Sequence, residues 1–288
     1  MGYSARYHAT SLIAVFLALA IGILIGAEFG GDTLSNTRKN LEQSLTGNLQ
    51  DAREQADSLR GELGRANEFS GRVYPALVRD RLRRRRIGLI AFGDLPGDVY
   101  SAIEGALAPA GGHLVGVGVV REPIDTRGLA GDLAKTRFAK LARDPDAQTA
   151  LGVGLGRQLV RGGTLLEPVR SHLFSRASGN FGALDAVIVV RDQPQDMGPI
   201  QRSVAGRIES GLASGITATR TPAVGTEDSE AEPSSISFFA GNDLSSVDDV
   251  DLVAGRLATV FALLGAEGNF GVKDSADRLL PDLLAPHG

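Results

Sequence analysis

The sequence predicts an α/β fold carried behind an N-terminal transmembrane helix and a coiled-coil stalk. Three patterns carry that reading: a charge-free apolar run over residues 9–27, a heptad-spaced apolar stripe within residues 33–70, and short β-rich runs alternating with amphipathic helices from residue 74 to residue 288.

The first run, ATSLIAVFLALAIGILIGA from Ala9 to Ala27, would span ~28 Å as a helix, close to the ~30 Å hydrocarbon thickness of a bilayer. A cleaved signal peptide is the alternative, with Ile25, Gly26 and Ala27 as the processing site. The run is longer than the ~7–15 apolar residues of a signal sequence, which favours an uncleaved anchor behind a tail of residues 1–8. Ala14, Ala18, Gly22 and Gly26 recur at every fourth position and put small side chains on one face, where a second backbone can approach. The plainer reading is that small residues are frequent in any apolar helix. Arg6 and His8 precede the span, but Arg38 and Lys39 follow it within the ~20-residue window, so flanking charge leaves the orientation open.

The stripe is Leu34, Leu41, Leu45, Leu49, Ala52, Ala56, Leu59, Leu63 and Ala66. Its intervals of three and four form a heptad seam, and the consecutive fours at Leu41, Leu45 and Leu49 form a stutter that locally unwinds a supercoil. Arg38, Glu42, Asp51, Arg53, Glu54, Asp57, Arg60, Glu62 and Arg65 give the seam a mixed-charge outer face. Gly47, Gly61 and Gly64 each weaken the helix by ~1 kcal/mol relative to Ala, so the seam needs a partner or the tethering membrane. A homo-oligomer held through Gly22, Gly26, Leu45, Leu49, Leu59 and Leu63 is the expectation.

Downstream, Ile87 to Phe92 reads as a buried strand, Val99, Ile103, Ala106 and Leu107 as a helix closed by Pro109 and Gly111, and Leu114 to Val120 as a second strand. That order is a βαβ unit and implies a parallel sheet. Leu129 to Val160 is helical by period, with a new helix starting at Asp144 and Pro145. LDAVIVV, Leu184 to Val190, is a buried strand, followed by a helix from Met197 to Leu212 and a further strand at Ile216 to Thr219. The acidic segment Thr221 to Ser235 reads as a mobile loop, Ile236 to Ala240 as an edge strand, and Val253 to Leu264 as a helix. Ser246 with Asp249 has the spacing of a capping box. Together these elements describe a Rossmann-like three-layer α/β domain.

Hydrophobic and charged fractions of 43% and 22% are those of a folded chain, and the absence of Cys excludes disulfides, thiolate metal sites and a Cys nucleophile. Charge is polarised: from Thr221 onward there are 12 Asp or Glu against 3 Lys or Arg, which argues against nucleic acid as a partner. The basic run Arg81, Arg83, Arg84, Arg85 and Arg86 has no interleaved aromatics for base stacking and reads as a solvated helix end. There is no GxSxG elbow or HExxH pair, so an enzyme is not expected. Gly152, Gly154 and Gly156 lack the last interval of GxGxxG and follow no strand, which argues against a nucleotide cofactor. Gly93 and Asp94 lie where an α/β crevice forms, but no second half of a site is visible.

YHATSLIAVFLALAIGILIGAEFGGDTL at the start and SSVDDVDLVAGRLATVFALLGAEGNFG near the end resemble the actinobacterial MctB-like copper-transport protein family. The order of segments matches over the whole chain, while the likeness is sharp only in those two stretches. The resemblance implies a cytoplasmic tail, an extracytoplasmic α/β domain and a role in copper export or homeostasis. It also implies the alternative of an adaptor whose stalk binds an envelope partner, such as a regulator of cell-wall hydrolysis and cell separation. The residues supply little copper chemistry. Cu(I) wants thiolate or thioether and Cu(II) imidazole, whereas the chain offers Met1, Met197 and four scattered histidines, His8, His113, His172 and His287. One apolar span encloses no pore, and no series of ~10-residue alternating strands suggests a barrel. Any copper movement would therefore need an oligomer or a partner. Asp248, Asp249 and Asp251 are the remaining cation candidates, suited to Mg²⁺ or Ca²⁺, against the plainer reading of helix-start acidity.

Overall fold

The computed structural model describes residues 4–283, so Met1 and His287 lie outside the described residues. Contacts divide the chain into two units, with the boundary between Asn67 and Glu68. Helix α1 covers Ser4–Val78.

In the first unit, Thr10–Ala27 is a helix long and apolar enough to cross a membrane, and all of it is exposed. Leu41, Leu45, Leu49, Leu59 and Leu63 are exposed as well. The side chains of Leu34, Arg38 and Glu42 lie outside the described residues. Helix is maintained through Gly47, Gly61 and Gly64.

The second unit is a mixed α/β domain. β1 (Arg86–Gly93) is an almost wholly buried strand whose side chains alternate between two apolar clusters, Ile87, Leu89 and Ala91 in one and Ile90 and Phe92 in the other. It pairs in parallel with β2 (His113–Val120) and with β4 (Ala186–Asp192). Beyond β4 come β5 (Ala223–Thr226), β6 (Ser245–Val247) and β7 (Asn269–Phe270), all parallel. β3 (Phe174–Gly179) joins β2 antiparallel, giving the order β3-β2-β1-β4-β5-β6-β7. Both outward connections therefore leave from beside β1, and the strand order reverses there.

One apolar cluster joins Tyr74 and Val78 of α1 to α2 (Gly97–Leu107) and α8 (Val253–Ala262). Tyr74 donates its hydroxyl to the Ala106 carbonyl at 2.6 Å. The other cluster gathers α3 (Thr126–Asp132), α4 (Pro145–Arg161), α5 (Leu166–Leu173), α6 (Pro199–Thr217) and α7 (Ile236–Ala240). α4 starts where Pro145 places it, with Asp144 Oδ1 accepting the Asp146 and Ala147 amides at 3.0 and 3.2 Å. Gly152, Gly154 and Gly156 lie on this helix and not in a loop. Gly152 and Gly156 face Gly211 and Gly215 of α6 so closely that a Cβ on either would overlap the opposing backbone.

Four expectations are corrected. Ile216 and Thr217 end α6 instead of starting a strand, and the strand begins at Ala223. Thr221–Ser235, expected as a mobile loop, contains β5 with Val224 wholly buried and Glu227 buried just after it, its carboxylate paired by Lys273, Ser234 and Ser235. Ile236–Ala240 is helix α7, since five apolar residues carry no period that separates helix from strand. Ser246 lies in β6, and the residue preceding α8 is Leu252, so no capping box forms there.

Candidate functional site

The carboxyl ends of the parallel strands carry the densest polar network of the domain. Gly93 closes β1 with φ of 83°, where a Cβ would strike the Asp192 carbonyl. This tight turn lets the Asp94 amide donate to that carbonyl at 2.9 Å. Asp94 thereby meets Asp192 at the end of β4 and Asp228 beyond β5. Burial first, then the charges of Asp94 and Asp228, hold the Asp192 carboxyl above its ordinary range.

Beside it lies a buried acid pair. Glu209 of α6 is fully buried, accepting from Arg191 Nε at 2.9 Å and Gln193 Nε2 at 2.8 Å. The Arg191 guanidinium also stacks over the Phe238 ring at 4.5 Å. Glu122, just past β2, has both oxygens buried without a hydrogen-bond partner. Desolvation above all, and the adjacent Glu209 carboxylate, push its acid well up against the opposing pull of Arg191. Glu122 therefore keeps its proton at neutral pH.

Further along, Glu227 accepts from Lys273 Nζ and Ser234 Oγ at 2.7 Å each, and from the Ser235 amide at 2.6 Å. Asp248 accepts the Val272 and Lys273 amides at 2.8 and 3.1 Å. Asp251 accepts the Ser229 amide at 2.7 Å and its hydroxyl at 2.8 Å. Asp249, between them, is fully buried and both its oxygens lack a partner. Burial, followed by the charges of Asp248 and Asp251, raises its acid to about 7.

The three aspartates of the VDDVD segment therefore diverge. Asp248 and Asp251 pin two different loops, while Asp249 points into the core, and the capping role expected of the segment is replaced by loop fastening. Among the described residues no three His, Cys, Asp or Glu side chains converge as a metal-ion site. His113 begins β2 on the surface. His172 lies in α5, with Nδ1 2.7 Å from Asp132 and Nε2 4.0 Å from Asp125. Arg121, just past β2, donates its amide to Leu173 at 2.8 Å, which puts His172 at the far end of that strand. The two histidines are separated by on the order of 25 Å and cannot share an ion. Met197 is buried. Gly22 and Gly26 have open space within 4 Å of where a Cβ would stand.

Glu122, Arg191, Glu209, Glu227 and Lys273 escaped the sequence reading. One signal was present: Glu209 sits beside Ile208 and one turn from Ala205 and Leu212, inside the apolar stripe of its helix.

A mixed α/β domain behind one apolar N-terminal helix of membrane-crossing length is the class of protein these observations define. Within it, the chain belongs to the MctB family: the family model described as "Copper transport outer membrane protein, MctB" matches residues 3–281. The chain is 26% identical over 298 residues to the copper transporter MctB of Mycobacterium tuberculosis, covering 90% of this chain and 91% of that one. It is 27% identical over 311 residues to the Mycobacterium leprae protein of the same name, covering 95% and 97%. The resemblance carried by the two sequence stretches is thereby borne out.

Proposed function

We propose that the chain is a single-pass, non-enzymatic envelope protein of copper homeostasis, with residues 1–8 cytoplasmic, residues 9–27 in the bilayer, residues 33–70 a stalk, and residues 74–288 an extracytoplasmic domain of Rossmann-like three-layer design. Family membership supports the copper role, and the strand order with its two apolar clusters supports the layering. The observation that carries the mode of action is the ligand inventory. A chain without Cys, whose two central histidines stand at opposite ends of one strand, does not hold copper by itself in the soft-donor sites the ion prefers. Copper handling then runs through an oligomer or a partner protein.

The uncovered seam supports a second reading, an adaptor that captures an envelope protein through Leu45, Leu49, Leu59 and Leu63. One experiment separates the two. In cells lacking the native gene, copper tolerance is compared after complementation with the natural chain, His113→Ala with His172→Ala, and Leu59→Asp with Leu63→Asp. Tolerance restored by the histidine variant and lost with the leucine variant is the expected outcome, because two carboxylates in a heptad seam prevent pairing. Tolerance lost with the histidine variant would make copper ligation by this chain the mechanism. Tolerance intact with the leucine variant, while partner capture is abolished, would favour the adaptor.

A further inference from the structure

A cavity of about 730 Å³ opens at the amino-terminal ends of β5, β6 and β7, the sheet edge opposite the carboxylate network. That volume falls within the ~300–1,000 Å³ of sites that enclose a small molecule. Thr217 and Arg220 reach it from the end of α6, Asp243 from the turn after α7, Ser245 from the start of β6, and Glu267 and Asn269 from the entry to β7. Three charged side chains thus border one space, and among the described residues none of the three makes an ion pair or a side-chain hydrogen bond.

Two of them sit at left-handed turns. Arg220 and Asp243 adopt φ of 59° and 56°, the left-handed conformation that ends a helix before the chain re-enters the sheet. Glycine suits such positions best because it has no Cβ to clash, and the chain does use glycine at the third crossing, Gly265 and Gly268, with φ of 105° and 135°. Asp80, Arg84 and Ala183 adopt the same conformation elsewhere in the domain, so what sets Arg220 and Asp243 apart is their place on the rim of this cavity.

We propose that this cavity binds a small diamino acid, with the Arg220 guanidinium receiving its carboxylate and Asp243 and Glu267 receiving its two ammonium groups. The lining carries one positive and two negative groups, so a ligand of one carboxylate and two ammoniums complements it in sign and number. Thr217, Ser245 and Asn269 supply neutral polar contacts between the charged groups.

The test uses the full chain in detergent micelles, L-lysine as the probe, and titration calorimetry with saturation-transfer NMR as readouts. Lysine should bind saturably, and norleucine, which lacks the second ammonium, and cadaverine, which lacks the carboxylate, should each bind about tenfold more weakly or not at all. Arg220→Gly and Asp243→Asn should weaken lysine about tenfold while leaving the melting temperature unchanged or higher, since both new residues suit a positive φ. Glu267→Gln, at a position without that backbone demand, should weaken lysine but not norleucine. No saturable lysine binding below about 10 mM would overturn the proposal. So would equal affinity for the three compounds, or undiminished lysine affinity in the folded variants.

Discussion

Glycines at four-residue spacing occur on facing helices in one unit and on a solitary helix in the other. In the α/β domain, Gly152 and Gly156 of α4 meet Gly211 and Gly215 of α6; a Cβ on Gly152 would stand 2.9 Å from the Gly211 Cα, and one on Gly156 3.0 Å from the Gly215 Cα. In the first unit, Gly22 and Gly26 have nothing within 4 Å of the same construction. The flanking side chains differ accordingly. Leu151, Leu155, Ile208 and Leu212 are buried around the α4–α6 contact, whereas Ile21, Ile23, Leu24 and Ile25 are exposed. Spacing of this kind specifies a surface that admits a backbone, and the rest of the chain decides whether the backbone is its own.

The sharpest way to break that contrast is to fill both surfaces. Gly152→Val or Gly211→Val places a branched side chain against a backbone, and should destabilise the domain by about 3 kcal/mol or more in chemical denaturation. A loss under about 1 kcal/mol would mean that the helices separate cheaply and the contact is incidental.

Next in size is a pH effect confined to the domain. Asp249 is raised to about 7 in the folded state, chiefly by burial. The unfolded chain releases that proton near pH 4, so stability present below that pH is lost progressively as pH rises to 7, by roughly 3 kcal/mol from this group. Asp249→Asn should flatten the decline between pH 4 and pH 7 in thermal unfolding. A decline of unchanged steepness in the variant would assign the effect to other carboxyls, with Glu122 and Asp192 the first to examine. The first unit's apolar face has no titrating group along it, so crosslinking of the full chain in membranes should not change over the same range.

The smallest effect expected is on the first unit. Gly22→Ile with Gly26→Ile should reduce that crosslinking several-fold while moving domain stability by less than about 0.5 kcal/mol. Unchanged crosslinking would exclude these glycines from the self-association proposed for the chain.

Long periodic elements were legible in the sequence. Ile87–Phe92, Leu114–Val120 and LDAVIVV emerged as β1, β2 and β4, the Asp144 and Pro145 signal placed the start of α4, and the apolar stripe placed α8 within a few residues, whereas residues 133–144, expected as helix, form turns. The failures share a cause. β5, β6 and β7 hold four, three and two residues, too few to display alternation, and β3, FSRASG, has polar residues on an exposed sheet edge. For the site, Asp248, Asp249 and Asp251 stood out as a cluster, yet nothing in their spacing says that their partners are Val272, Lys273 and Ser229. Such pairings join residues 22 to 25 positions apart, a distance at which local pattern carries no information.

The fastening of Asp248 and Glu227 by Val272 and Lys273 bears on the order of events at the ribosome. Until residues 272 and 273 have been made, a nascent domain must keep two carboxylates hydrated that the finished one encloses. A message truncated ahead of codon 272 would therefore yield a domain still open along that edge.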